Sequence, residues 1–180
     1  VAPVGVVGSL VSGLAMGAFW GLAPVFAQRI GLELIGISTL MSLVILGGAA
    51  LQYPIGRYSD RHDRRRVLGK VTAAAAIVAV ATLLLLQIWR DSLYPLMFLY
   101  GGLAFSLYPI CVAHMVDHLA PEEVLAGSSG LLLLHGIGAA LGPAFAGVIM
   151  GLLGSQALLL YFALVLAPLA LFAARHATPA

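Results

Sequence analysis

The sequence GRYSDRHDRRRV at residues 56–67 separates two long apolar stretches and holds five of the nine basic residues of this 180-residue chain. Hydrophobic residues make up 62% of the chain and charged residues 9%, compared with about 25% charged residues in an ordinary soluble domain. This composition excludes a soluble globular protein. It also excludes a disordered chain, because disordered segments are poor in apolar residues. We therefore expect a protein whose solvent is lipid.

Six apolar stretches are long enough to cross a bilayer, whose core of about 30 Å needs roughly 20 residues per helix. No stretch contains a charged residue near its centre, and the connections between them are short. Short connections make consecutive helices antiparallel neighbours. We predict an all-α membrane protein in which residues 1–180 form one six-transmembrane-helix bundle. The predicted spans are 4–27, 34–55, 67–88, 94–116, 124–153 and 156–174.

The distribution of basic residues predicts the orientation of the bundle. One side carries seven of them, which are Arg57, Arg61, Arg64, Arg65, Arg66, Lys70 and Arg175. The other side carries only Arg29 and Arg90. The side rich in Lys and Arg faces the cytoplasm in membrane proteins, so six spans place both termini there, in the cell (inner) membrane. Because Val1 is not methionine, we expect the natural N-terminus to lie upstream.

Several kinds of chemistry are not expected from this sequence. Its single cysteine, Cys111, cannot form an internal disulfide, and no Cys/His cluster has metal-ligand spacing. The basic residues are gathered in one loop, and we do not expect nucleic acid as a partner. An intramembrane enzyme would need a nucleophile with an oriented base. Cys111 has His114 near it by helical spacing but no third group, so we expect no enzyme and no cofactor.

Residues 56–65 resemble the signature loop of the major facilitator superfamily, which reads G-x-L-[A/S]-D-[R/K]-x-G-[R/K]-[R/K] and follows the second helix of each six-helix half. Tyr58 and Asp63 replace the usual leucine and glycine. These departures are more tolerated in the second half, so the resemblance implies the C-terminal half of a twelve-helix fold. The matching residues are Gly56, Ser59, Asp60, Arg61, Arg64 and Arg65.

The resemblance implies a secondary active transporter that moves a small solute by alternating access, as an efflux or uptake carrier. Its implied partners are a small-molecule substrate, the lipid bilayer and the missing N-terminal half. Coupling to protons stays open. The alternative is a non-transporting membrane receptor or assembly component on the same scaffold.

The residues of the loop support a role at the cytoplasmic gate. Gly56 is expected to let the backbone leave the helix tightly, and the Asp60 carboxylate can accept hydrogen bonds from a helix N-terminus. By resemblance, Asp60 and Arg61 close the cytoplasmic side. For Arg57 and Arg66 the alternative is that they only fix topology and contact anionic lipid. The acidic gate partners available on the same side are Asp117, Glu122 and Glu123.

Glycine is concentrated in the first and fifth spans, whereas the third span contains only Gly69 and the sixth none. Because small residues let helices approach closely, we expect the first and fifth helices inside the bundle and the third and sixth facing lipid. By resemblance, the first and fourth helices line the central cavity and the second and fifth meet the other half. Gly138 and Gly142 form a GxxxG packing step, and Pro143 kinks the fifth helix.

Four residues are candidates for the transport pathway. His135 lies about 16 Å into the membrane at 1.5 Å per residue, where an ionisable group faces a cavity or a partner. It either packs as a neutral ring or binds substrate or a proton. Tyr100 is expected to offer its hydroxyl to a cavity. Trp20 and Gln52 are further candidates, for the pathway or for packing.

Overall fold

The computed structural model describes residues 3–176, so residues 1–2 and 177–180 lie outside the described part. Two short 3₁₀ turns, Arg90–Ser92 and Pro121–Glu123, precede α4 and α5. Within the described residues six helices are long and apolar enough to cross a membrane, which confirms the predicted all-α bundle. The helices are α1 Pro3–Arg29, α2 Leu34–Asp60, α3 Arg64–Leu85, α4 Leu93–Val116, α5 Val124–Leu153 and α6 Ala157–Arg175.

The connection between α2 and α3 is shorter than the apolar pattern predicts. Helix α2 continues to Asp60, and α3 begins at Arg64, where the Asp63 carboxylate caps it by accepting from the Arg65 backbone N–H at 2.8 Å. The expectation that Gly56 lets the chain leave the helix is wrong, because Gly56 lies within α2. Hydropathy shows where the apolar part of a helix ends, whereas its backbone hydrogen bonds continue among polar side chains.

The helices pack in three principal pairs, α1 with α5, α2 with α4 and α3 with α6. Helices α1 and α4 also contact each other and hold the centre, with α6 against α1 and α3 against α4. The pair α3–α6 therefore forms one side of the bundle. On the other side α2 and α5 flank the central pair.

Burial differs sharply among the helices. Only 22% of the apolar window of α2 and of α5 is buried, against 56% in α3 and α4, 50% in α6 and 44% in α1. The expectation that the fifth helix lies inside the bundle is therefore wrong for this half taken alone. The expectation that the third and sixth helices face lipid stays a prediction. Glycine marks the close approach of one helix face and does not require the rest of the helix to be buried.

Reciprocal glycines bring α1 and α5 together. A Cβ added to Gly13 would overlap the carbonyl oxygen of His135, and one added to Gly138 would overlap that of Leu10. Gly17 against Ala139 and Gly142 against Leu14 repeat the arrangement one turn further along. Pro143 lies on Gly21, whose added Cβ would be 3.2 Å from the proline ring. Gly138, Gly142 and Pro143 therefore lie at the α1–α5 contact.

Glycines also allow α2 and α4 to approach closely, and this contact was not predicted from the sequence. An added Cβ at Gly47 would overlap the Phe98 carbonyl, and one at Gly101 would overlap the Val44 carbonyl. These glycines occur in adjacent pairs, Gly47-Gly48 and Gly101-Gly102, and so lack GxxxG spacing. Adjacent glycines were the signal that could have identified this contact.

Candidate functional site

Arg64 links the α2–α3 segment to the end of α4. Its guanidinium donates to the Asp60 carboxylate at 2.9 Å and to the Asp117 carboxylate at 2.5 Å. The Arg64 side chain is 18% exposed, so it is held closely between two carboxylates that remain in contact with solvent. Charge-assisted hydrogen bonds of this kind are stronger than neutral ones. We call Asp60, Arg64 and Asp117 the ionic cluster.

The other predicted gate residues lie apart from this cluster. Arg61 is exposed and makes no ion pair among residues 3–176. Glu123 accepts from the Ala120 backbone N–H at 3.2 Å and so caps its own turn, and Glu122 is exposed. Of the three acidic partners predicted from the sequence, only Asp117 contacts the signature loop, residues 56–65. Its partner there is Arg64 and not Arg61.

A polar pocket of about 430 Å³ adjoins the ionic cluster. Its wall includes Arg65, which donates to the His176 carbonyl at 3.2 Å and lies 3.5 Å from the ring nitrogen of His118. Two further lining groups, the Ser59 hydroxyl and Nε2 of His114, are buried and have no hydrogen-bond partner in the described part of the chain. Ser59, the serine of the signature loop, thus lies in the wall of a polar space large enough for several water molecules.

A second cavity of about 160 Å³ lies between α2 and α4, directly beneath the ionic cluster. Asp60 and Arg64 form one end of it, and Ala113 on α4 lines its wall. Gln52 of α2, about two turns before Asp60, also lines this cavity. Gly56 contributes to the wall, where a Cβ would meet nothing within 4 Å. The structure therefore places Gln52 and the signature segment around one space.

His135 lies where α1, α4 and α5 meet. Its Nδ1 is 3.4 Å from the Ser12 hydroxyl, and its ring centroid is 4.6 Å from that of Tyr108. One turn earlier, the Ser9 hydroxyl donates to the Leu131 carbonyl at 2.8 Å. The imidazole is half-buried, so it both packs at the glycine contact and reaches the surface of the bundle.

Aromatic side chains continue this surface along α1 and α4. Trp20 is 50% exposed, and its ring centroid lies 5.2 Å from Phe19 and 6.2 Å from Phe105. Phe105 and Tyr108 were not among the residues predicted from the sequence, where Tyr100 was the pathway candidate on α4. Their spacing of three residues was the available signal, because such residues share a helix face.

Tyr100 does not face this surface. It is buried among the helices, where its ring stacks on Phe162 at a centroid distance of 4.9 Å and its hydroxyl has no partner within the described residues. The expected role of Tyr100 in a cavity is therefore wrong. Its face of α4 is the packing face, with Ala104, Leu107 and Cys111 also buried, because apolar periodicity alone does not distinguish packing from cavity lining.

Within residues 3–176 no group of three or more His, Cys, Asp or Glu side chains could hold a metal ion. The ionic cluster has two carboxylates whose charge is met by Arg64. The described site therefore offers ion pairing, hydrogen bonding and aromatic contact.

Six helices that are long and apolar enough to cross a membrane, with this charged segment after the second, define a polytopic membrane protein. The family model described as Major Facilitator Superfamily matches residues 5–180. The chain belongs to the Major Facilitator Superfamily.

Several bacterial relatives are named as transporters of this family. The chain is 31% identical over 149 residues to an uncharacterized MFS-type transporter of Enterobacter sp. strain 638. It is 30% identical over the same length to the uncharacterized MFS-type transporter YcaD of Escherichia fergusonii and 29% identical to YcaD of Salmonella newport. Each match covers 83% of this chain and 38% of the relative, so the chain spans well under half the length of the relatives it matches.

Proposed function

We propose that the chain is the C-terminal six-helix half of a secondary active transporter that carries a small solute by alternating access. Such carriers rock two halves about a site near the bilayer midplane. The complete carrier would lie in the inner membrane with both ends of this half in the cytoplasm, as the basic residues of the α2–α3 segment favour. It would not be an enzyme.

The observation that carries this proposal is the uneven burial of the bundle. Only 22% of the apolar window of α2 and of α5 is buried, and these two helices flank the central helices α1 and α4. The exposed surface of α1 and α4 includes the aromatic side chains of Trp20 and Phe105. A second half that covered α2 and α5 would enclose this surface. The enclosed space would then hold the solute between the two halves, with Trp20 and His135 in its wall.

The ionic cluster is the proposed cytoplasmic latch. Arg64 bonds to carboxylates on two different helix ends, Asp60 of α2 and Asp117 just beyond α4. Opening the small cavity between those helices requires at least one of these bonds to lengthen or break. Ser59, Arg61 and Arg65 would complete the cytoplasmic gate in the full carrier.

His135 is the proposed proton site if transport is coupled to protons. It is the histidine nearest the middle of a span, and no Asp or Glu lies mid-span in this chain. A proton on the imidazole would alter its contacts with Ser12 and Tyr108, which join α5 to α1 and α4. Protonation could therefore change how these helices pack and so couple a proton gradient to the movement of solute.

We expect the replacement His135→Gln in the complete carrier to leave folding intact and to remove the effect of a proton gradient on solute transport. Glutamine keeps hydrogen-bonding capacity but does not titrate. The measurement is solute uptake into proteoliposomes with and without a pH difference, for a solute first selected because it raises the melting temperature of the purified carrier.

The matched control is Tyr108→Phe, which keeps the ring beside His135 and should retain the response to the gradient. If His135→Gln transports with an unchanged pH dependence, His135 is not the coupling site. A solute that stabilises the carrier but never crosses the membrane would favour the receptor or assembly role over transport.

A further inference from the structure

We propose that a groove between α3 and α6, at the cytoplasmic boundary of the membrane, binds an anionic glycerophospholipid. The groove has a volume of about 610 Å³. Arg66 and Lys70 of α3 line its cytoplasmic end, and small residues of both helices form its walls. The groove lies outside the ionic cluster and outside the aromatic surface. The small wall residues include Gly69, Ala73, Ala170 and Ala174.

The basic end of the groove suits a phosphate group. Lys70 is exposed, and its ammonium donates to the Tyr58 hydroxyl at 3.4 Å and lies 5.9 Å above the Tyr58 ring. An ammonium has three donors, so it can bind a phosphate oxygen while it keeps the tyrosine contact. Arg66 stands one turn earlier, with its Nε 4.0 Å from the Asp63 carboxylate. The two cations share one face of α3 at spacing i, i+4.

The same face of α3 continues as an apolar track suited to acyl chains. Ile77 is 67% exposed and Leu84 is 62% exposed, and with Lys70 they recur at steps of seven residues, which is two helical turns. Leu171 of α6 borders the groove and is 63% exposed. Cationic side chains at headgroup depth followed by an apolar track match a lipid with a charged head and two tails.

The position of the groove favours a lipid over other occupants. The α3–α6 pair lies on the side of the bundle away from α2 and α5, so a second six-helix half covering those helices would leave the groove facing the bilayer. A soluble anion would leave the apolar walls without a partner, and a zwitterionic lipid brings no net charge to Arg66 and Lys70. Each basic residue near a membrane surface favours anionic lipid by a factor of about five.

The test is native mass spectrometry of the complete carrier after reconstitution with equal amounts of phosphatidylglycerol and phosphatidylcholine. We expect the wild-type carrier to retain phosphatidylglycerol preferentially. Lys70→Gln should reduce this retention about fivefold, because the groove loses one of the two cations that would contact the lipid phosphate. Ala174→Leu should also reduce retention, because it fills the groove without changing the charge. Ala174 is exposed, so the fold should tolerate this substitution.

Arg57→Gln is the matched control, since Arg57 is exposed on the last turn of α2 and lies outside the groove.

Three results would overturn the lipid site. An equal loss in Arg57→Gln would show a diffuse charge effect, and full retention in Ala174→Leu would show that the groove holds no tail. Displacement of phosphatidylglycerol by soluble glycerol phosphate would show that a free phosphate compound is the ligand. If Lys70→Gln does not fold, Ala174→Leu decides the question alone.

Discussion

The double replacement Gly138→Ala/Gly142→Ala is expected to destabilise the protein by about 3 kcal/mol or more, because overpacking a well-packed contact costs roughly 1–3 kcal/mol per site. The two added methyl groups would overlap the backbone carbonyls of Leu10 and Leu14. Helix α1 would have to move away from α5, and the Ser12–His135 contact would open with it. The measurement is thermal unfolding and gel filtration of the complete carrier in detergent.

A second glycine pair on the same helix gives the matched control. Gly130 and Gly136 are exposed, and a Cβ at either would meet nothing within 4 Å. Gly130→Ala/Gly136→Ala creates no overlap within this half, and alanine favours a helix by about 1 kcal/mol over glycine. It should therefore be clearly less destabilising than Gly138→Ala/Gly142→Ala, although the two double variants have the same composition. Equal melting temperatures would refute the α1–α5 contact as described.

Replacement of Arg64 by glutamine is expected to open the cytoplasmic side. It removes both charge-assisted bonds of the ionic cluster and leaves the Asp60 and Asp117 carboxylates without their shared cation. Hydrogen bonds to charged groups contribute about 1.5–3 kcal/mol. Because both carboxylates are about half exposed or more, solvent screening reduces this contribution, and we expect a value near the lower limit.

The readout is a cysteine placed at Ala113, which lines the small cavity beneath Arg64. In the Arg64→Gln background this cysteine should react with a thiol reagent from the cytoplasmic side about tenfold faster, which corresponds to about 1.4 kcal/mol. Arg57→Gln is the matched control, since Arg57 is exposed, has no ion pair within the described residues and lies outside the proposed gate. A similar increase in both variants would contradict the latch and indicate a general loss of positive charge.

The fold could be predicted from the sequence because lipid restricts a spanning chain to few solutions. Backbone groups in lipid must bond internally, so each apolar stretch of about 20 residues becomes a helix. The predicted span 124–153 agrees with α5 at both ends. The errors occurred at polar helix ends, as at Asp60, where the apolar pattern stops before the helix does.

The candidate site was harder to predict because it depends on which helices are neighbours. The signature motif identified the segment around Asp60, but the choice of Arg64 and Asp117 as partners requires the end of α4 to lie beside α3. Tyr100 and Phe105 are on one helix and both aromatic, yet one is buried against Phe162 and the other faces Trp20. The different environments of these two side chains become apparent only from the three-dimensional packing of the helices.

A cysteine at Phe105 tests most directly whether the surface formed by α1 and α4 opens to each side of the membrane in turn. Phe105 lies near the middle of α4 and beside Trp20. Cys111 is fully buried and provides an unreactive internal reference. The remaining cysteines of the complete carrier would be replaced by serine, and oriented vesicles would be treated with a membrane-impermeant maleimide.

We predict that Phe105→Cys reacts from both sides of the membrane. Adding Arg64→Gln should raise the reaction from the cytoplasmic side and lower it from the opposite side, because one carrier cannot be open to both sides at once. Reaction from neither side, or from one side only and unaffected by Arg64→Gln, would contradict the claim that this six-helix bundle is half of an alternating-access transporter.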